Sequence, residues 1–163
     1  MKKIVEQIWL VIDRVVAVAV SILFVGMVVF IFAQVFFRYV LEAPLSWSEE
    51  LSRYLFVWVA FLGSFIAARR GQHIGVELVI AKVPRNVEKL VRACANLLTA
   101  AFFGIIGYVL IEIWPKLMRQ STTALGGLPM AYPYLGMLLG CGLMTLTYLC
   151  YSIELFVPQK EEQ

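Results

Sequence analysis

The sequence has few residues of the kinds that carry out chemistry. It contains one histidine, His73, and three cysteines among 163 residues. A single histidine excludes bis-histidine haem ligation within the chain. Cys94, Cys141 and Cys150 form no C-x-x-C pair and lie in apolar runs, so they are expected to be small core residues. The sequence therefore predicts no catalytic residue, cofactor or metal site in this chain, and predicts that it is not an enzyme.

Motifs for phosphate binding and for ion transport are also missing. There is no glycine-rich phosphate loop, and Gly126-Gly127, shortly before Pro129, predicts a turn instead. The long apolar runs carry no Asp or Glu near their centres, where transporters place carboxylates that bind cations or relay protons. A self-sufficient pump, an exchanger or a small multidrug exporter is therefore disfavoured.

Charge is scarce, whereas apolar residues are abundant. Charged residues make up 15% of the chain and apolar residues 61%, and the mean hydropathy is +0.83. These values are typical of an integral membrane protein, in which a spanning helix needs about 20 mostly apolar residues. We predict an all-α membrane protein with one domain, residues 1–163, and four transmembrane helices. The predicted spans are approximately 10–40, 47–69, 86–114 and 129–156, with a short amphipathic interfacial segment at about 73–83.

The distribution of Lys and Arg predicts the orientation of these spans. The two terminal flanks and the second connection hold ten of these residues, whereas the first and third connections hold four. Positive residues are enriched on the cytoplasmic side, so both termini are predicted to be cytoplasmic. The net charge of +3 is explained in the same way, because basic residues near the cytoplasmic leaflet attract lipid headgroups. Lipid is thus an expected partner and nucleic acid is not, and the predicted headgroup contacts are Arg69, Arg70 and His73.

The most polar stretch near the apolar runs is the first connection with its flanks. Ser46 and Glu49 match the S-x-x-E capping box and predict the start of the second helix. Arg53 lies four residues after Glu49, which makes a local ion pair available. A cap at the membrane interface explains Ser46, Trp47 and one acid, but it leaves other polar residues unexplained. We predict that a set of six residues contacts another helix or subunit: Gln34, Arg38, Trp47, Glu49, Glu50 and Arg53.

Small residues at intervals of four predict close approach between helices. Such spacing lets two backbones meet within the bilayer, inside one subunit or across an interface. The positions are Ala60, Ser64 and Ala68 in the second span, Ala100 and Gly104 in the third, and Gly136 and Gly140 in the fourth.

Residues of the first half of the chain resemble a known family. The matching positions are Gln34, Arg38, Pro44-Leu45, Trp47-Ser48-Glu49-Glu50-Leu51, Leu55-Phe56, Leu62-Gly63, Ala68-Arg69 and His73. This pattern resembles the small membrane subunit, of the DctQ type, of TRAP transporters, the tripartite ATP-independent periplasmic carriers. The resemblance covers residues 34–80 closely, and the rest of the chain matches in its four-span layout.

The resemblance implies a division of labour between three proteins. A periplasmic binding protein would deliver an organic acid, and a large multispanning subunit would carry it inward with sodium. The small subunit would brace the large one as a non-catalytic scaffold in the bacterial inner membrane. The substrate stays open among dicarboxylates, keto acids, sugar acids and sialic acid. A second hypothesis is a membrane anchor of a redox complex whose cofactors are held by a partner.

Overall fold

Four long helices make up most of the structure. A computed structural model describes residues 2–70, 85–122 and 125–156. The helices are α1 (Lys2–Tyr39), α2 (Ser46–Arg69), α3 (Arg85–Arg119) and α4 (Ala131–Phe156). Within the described residues, all four are long and apolar enough to cross a membrane. The predicted all-α, multi-pass membrane fold is confirmed, while the predicted interfacial segment at 73–83 lies outside the described residues.

The helices form an open row rather than a closed bundle. Among the described ranges, α1 lies beside α2, α2 beside α4, and α4 beside α3, and no other pair of helices is adjacent. The row therefore runs α1–α2–α4–α3. The two flanking helices each have one neighbour, so most of their apolar side chains face outward, as lipid-facing helices do.

The contact between α2 and α4 depends on the two glycines of the predicted G-x-x-x-G. A Cβ atom placed on Gly136 would lie 2.4 Å from the Trp58 ring, and one on Gly140 would lie 2.6 Å from the Phe61 Cβ. Only glycine permits so close an approach, as the spacing of small residues predicts. The central joint of the row, the contact between α2 and α4, is therefore close because α4 carries no side chain at these two positions.

The core lies across α2, α3 and α4. Its buried cluster contains Phe65, Ala68, Ala100, Met144 and Tyr148. Trp9 of α1 reaches the edge of this cluster, with its ring centroid 6.4 Å from that of Phe65. Packing of this kind, rather than a hydrophobic driving force, associates helices within lipid.

The cysteine prediction is correct at one position and wrong at another. Cys141 is fully buried against α3, where its Cβ lies 3.8 Å from the Cβ position of Gly107. Cys94 is exposed, because α3 has only one neighbour in the row and Cys94 lies on its outer side. Cys150 is half-buried, and all three thiols are free.

The first helix is longer than a membrane is thick. Its 38 residues correspond to roughly 57 Å at 1.5 Å per residue, against a hydrocarbon core of about 30 Å. It ends in a turn at which Glu42 adopts the left-handed conformation, with φ of 53°. This turn reverses the chain in six residues and positions the start of α2 beside the end of α1.

The third helix extends past its predicted end near residue 114. It continues through Pro115 to Arg119. Proline removes one backbone donor, and the buried side chain of Leu117 holds the last turn against the protein. The connections that precede α2 and α4 lie at the same ends of the helices, because the start of α2 contacts the start of α4. The charge distribution predicts that this side is periplasmic.

Candidate functional site

The second helix begins without the predicted capping box. Its cap residue is Leu45, in extended conformation, and no side chain caps the helix. Ser46 is already the first helical residue, where its hydroxyl cannot reach the amide that a cap satisfies. Ser48, which is fully buried, donates instead from its backbone N–H and its hydroxyl to the Leu45 carbonyl, at 3.2 and 2.9 Å. The predicted capping role of Ser46 and Glu49 is therefore wrong.

Glu49 pairs with Arg53, as the spacing of four predicts. The Arg53 guanidinium donates to the Glu49 carboxylate at 3.4 Å, and the Arg53 and Glu49 side chains are 70% and 58% exposed. An exposed pair of this type contributes well under about 1 kcal/mol to stability. The small gain in stability therefore does not explain the presence of two charged residues here. Both side chains remain accessible to a partner.

The other side of the same helical turn faces inward. The Tyr54 hydroxyl donates to the Glu50 carboxylate and lies 3.5 Å from the Met130 sulfur. One turn further, the Trp58 indole N–H donates to the Pro133 carbonyl at 2.9 Å. These bonds hold α2 to the start of α4 and to the loop before it. Tyr54 and Trp58 are not among the predicted contact residues, although Glu50, Tyr54 and Trp58 recur every four residues and so lie on one helix face.

The described residues of the loop before α4, 120–122 and 125–130, are joined by backbone hydrogen bonds. Thr122 and Met130 donate their backbone N–H groups across it to Leu128 and Gln120, both at 2.8 Å. Gly126 and Gly127 have φ of 65° and 82°, which confirms the predicted turn. An apolar cavity of about 230 Å³ lies between this loop, α2 and Leu23 of α1. The described loop residues thus face α2 across this cavity, and Met130 contacts Tyr54 of α2 directly.

The structure brings only some of the six predicted contact residues together. Trp47 packs edge-on against Phe30 of α1, with ring centroids 6.0 Å apart, and remains 41% exposed. Arg38 is exposed and lies over the ring of its neighbour Tyr39, and Gln34 is half-buried. Within the described ranges, neither Gln34 nor Arg38 forms a side-chain hydrogen bond to α2. Contact between these two residues and another subunit stays a prediction.

An exposed stripe runs along most of α2. We define this outer stripe as Glu49, Arg53, Phe56, Ala60 and Ser64, which are spaced by four, three, four and four residues and are all exposed. The Ser64 hydroxyl donates to the Ala60 carbonyl at 2.7 Å, so its hydrogen bond is satisfied within the helix. The stripe combines an ion pair at the helix start with small residues further along a helix that is long and apolar enough to cross a membrane.

The opposite end of α2 carries the residues predicted to contact headgroups. Arg69 turns inward, where its Nε donates to both Asp13 carboxylate oxygens at 3.1 and 3.2 Å and its guanidinium lies 4.6 Å from the Trp9 ring centroid. Arg70 is exposed. His73 lies outside the described residues. Among the residues that the structure describes, no three His, Cys, Asp or Glu side chains are grouped to hold a metal ion.

Comparison with known proteins identifies the family. The family model described as "Tripartite ATP-independent periplasmic transporters, DctQ component" matches residues 27–157. That range includes all six predicted contact residues and the whole outer stripe.

Individual relatives agree with this match. A TRAP transporter small permease protein of Haemophilus influenzae is 32% identical over 111 residues. The sialic acid TRAP transporter permease protein SiaT, also of H. influenzae, is 34% identical over 76 residues. The C4-dicarboxylate TRAP transporter small permease protein DctQ of Rhodobacter capsulatus is 29% identical over 106 residues.

The matched regions cover 66%, 47% and 64% of this chain, and 66%, 12% and 47% of the three relatives. The family match spans well over half of the chain and agrees with the four helices able to cross a membrane. This chain belongs to the DctQ component family of the tripartite ATP-independent periplasmic transporters.

Proposed function

We propose that this chain is the non-catalytic scaffold subunit of a sodium-coupled secondary transporter in the bacterial inner membrane. It braces a large multispanning subunit, which takes up an organic acid delivered by a periplasmic binding protein. Both termini are cytoplasmic, so the start of α2 lies at the periplasmic rim.

The outer stripe of α2 is the observation that carries this proposal. Lipid-facing surfaces give no advantage to small residues, whereas helix interfaces in membranes are enriched in them because backbones can approach closely. Ala60 and Ser64 are exposed at membrane depth in this chain and offer such a surface. The exposed Glu49–Arg53 pair continues the stripe to the rim, where charges fix register and orientation between partners.

The match to SiaT supports a lasting contact with a larger permease. The matched segment makes up 12% of that relative, so one longer polypeptide contains a segment similar to this chain. Residues joined in one chain stay close in the membrane at high effective concentration. We infer that the separate subunit occupies an equivalent place beside its own large partner.

The organic-acid and sodium assignments rest on the relatives and on the division of roles. The names of two relatives specify sialic acid and C4-dicarboxylates, both of which are organic acids. The apolar runs of this chain carry no central carboxylate to bind a cation. The proposal therefore places sodium and substrate in the large subunit and leaves support to this one.

Co-purification and uptake test the scaffold role. We propose the triple variant Arg38→Gln, Glu49→Gln, Arg53→Gln, expressed together with the large subunit and the binding protein of the same transporter. Recovery of the complex and uptake should both fall, while the variant itself stays folded because the Glu49–Arg53 pair contributes little stability.

The matched control is Glu88→Gln, Arg92→Gln, which removes another ion pair spaced by four residues, on α3, with 3.0 Å between the Arg92 guanidinium and the Glu88 carboxylate. This control should leave uptake unchanged. Normal uptake by the triple variant would refute the role of the rim. Haem or flavin absorbance in the purified complex would instead support a redox anchor.

A further inference from the structure

A groove between α1 and α2 combines positive charge with an apolar floor. It lies near the start of α1 and the end of α2, on the side away from the periplasmic rim, and has a volume of about 400 Å³. Its apolar lining includes Leu10, Ala17, Val18 and Ile66, and its charged lining includes Arg14 and Arg70. The groove therefore places positively charged side chains directly beside apolar ones.

Two of the cations in this groove have no ion-pair partner among the described side chains. The third arginine, Arg69, is neutralised by Asp13 at 3.1 Å. Arg14 of α1 and Arg70, which directly follows the last residue of α2, are both exposed and both line the groove. The groove thus carries an excess of two positive charges, which favours an anionic ligand held between α1 and α2.

The apolar floor continues toward the membrane centre. A second cavity of about 280 Å³ shares Ala17, Ile66 and Arg70 with the first and extends to Val20, Ser21 and Gly63. From Arg14 to Ser21 this path is roughly 10 Å long at 1.5 Å per residue. The Ser21 hydroxyl donates to the Ala17 carbonyl at 2.9 Å, so its hydrogen bond is made within α1 and a hydrocarbon chain can lie beside it.

We propose that this groove binds an anionic glycerophospholipid. Arg14 and Arg70 hold the headgroup phosphate, and one acyl chain follows the floor toward Ser21 and Gly63. A soluble phosphate would use only the two arginines, whereas a lipid also uses the apolar path that leads from them. Since α1 has only α2 as a helix neighbour within the described residues, this lipid would bridge the joint that holds α1 in place.

Lipid retention by the purified full-length chain tests the site. Native mass spectrometry would count bound dioleoyl-phosphatidylglycerol and, separately, dioleoyl-phosphatidylcholine. The wild-type chain should retain the anionic lipid at least fivefold better. Arg14→Gln and Arg70→Gln should each reduce retention of phosphatidylglycerol about fivefold, the effect of one basic residue at an anionic surface.

Two further variants distinguish binding in this groove from a general attraction of anionic lipid to positive charge on the protein. Lys89→Gln removes an exposed positive charge on α3, at the same end but outside the groove, and should leave retention unchanged. Ser21→Phe fills the apolar path without changing charge and should reduce retention. Circular dichroism would verify that each variant is folded.

Equal retention of the two lipids by the wild-type chain would overturn the proposal. So would a loss with Lys89→Gln as large as that with Arg14→Gln. The measurement needs no large subunit, so its outcome is independent of the scaffold role.

Discussion

The Asp13 carboxylate accepts two hydrogen bonds from Arg69 Nε, at 3.1 and 3.2 Å, and so ties α1 to α2 across 56 residues of sequence. Of the ion pairs among the described residues, this one joins two different helices, whereas the others lie within one helix. The Trp9 ring covers the guanidinium at 4.6 Å. Trp9, Asp13 and Arg69 form a clamp between α1 and the end of α2, on the side away from the rim.

Removing the carboxylate of this clamp should destabilise the protein. The Arg69 and Asp13 side chains are 20% and 27% exposed, so the pair is partly withdrawn from solvent. Asp13→Asn should therefore lower the free energy of unfolding by about 2 kcal/mol, between the values for exposed and buried pairs. Thermal unfolding in detergent, followed by circular dichroism, measures this change.

Glu88→Gln is the control for Asp13→Asn, because the Glu88–Arg92 pair lies within one helix and is more exposed, at 35% and 39%. It should cost about 0.5 kcal/mol or less. A double-mutant cycle of Asp13→Asn and Arg69→Gln isolates the pair itself. A coupling energy near zero would contradict the clamp.

Adding one methyl group to Gly140 should loosen the central joint of the row. The new Cβ would lie 2.6 Å from the Phe61 Cβ and 3.0 Å from its backbone carbonyl carbon, so no change of rotamer relieves the clash. Gly140→Ala should cost about 1–3 kcal/mol, the usual penalty of overpacking. Unfolding measurements in detergent provide the check.

Gly142→Ala is the matched control for Gly140→Ala. It lies in the same helix, two residues away, and nothing lies within 4 Å of its added Cβ. This substitution should be neutral or should stabilise the helix by up to about 1 kcal/mol. If the two variants lose stability equally, the close contact between α2 and α4 is not at Gly140.

Enlarging the outer stripe should weaken the complex without weakening the subunit. Ala60 is exposed, so Ala60→Leu meets no described side chain of its own chain that would resist it. If a helix of the large subunit packs there, the added bulk should reduce recovery of the complex severalfold. Ala101→Leu makes the same change at an exposed position of α3 and should have no effect. Equal recovery of both variants would exclude this stripe as the contact surface.

Replacing the Trp58 indole should loosen the hold of α2 on the start of α4. Trp58→Phe keeps an aromatic ring against Gly136 but removes the donor to the Pro133 carbonyl. We expect a loss of about 1 kcal/mol, the typical net value of a hydrogen bond. Hydrogen exchange should rise first in the loop of residues 120–130. Unchanged exchange there would show that the bond does not fix the loop.

Features set by neighbouring residues could be predicted, and features set by distant ones could not. The Glu49–Arg53 pair and the turn at Gly126-Gly127 follow from spacing and from glycine's freedom at positive φ, and both were predicted. The capping box has the right local sequence, but the helix starts one residue earlier than the motif requires.

The partner of Arg69 illustrates the other case. Its charge near a helix end suggests a headgroup contact, and nothing near it in sequence indicates Asp13, since the pairing depends on which helices are neighbours. The order of the row, which places α4 between α2 and α3, has no signature in periodicity or composition. Spacing predicts that Gly136 and Gly140 approach some helix, but not that the helix is α2.

The row order also bears on how the subunit is made. α1 and α2 follow each other along the chain and lie side by side, as do α3 and α4, so each pair is a helical hairpin assembled from neighbouring spans. Within the described residues, the hairpins meet only through α2 and α4. If the spans insert in chain order, the first hairpin can form before α4 is present, whereas α3 gains its helix neighbour among the described residues only once α4 has inserted. As the last of the four described helices along the chain, α4 contacts both α2 and α3, so assembly of the row depends on its insertion.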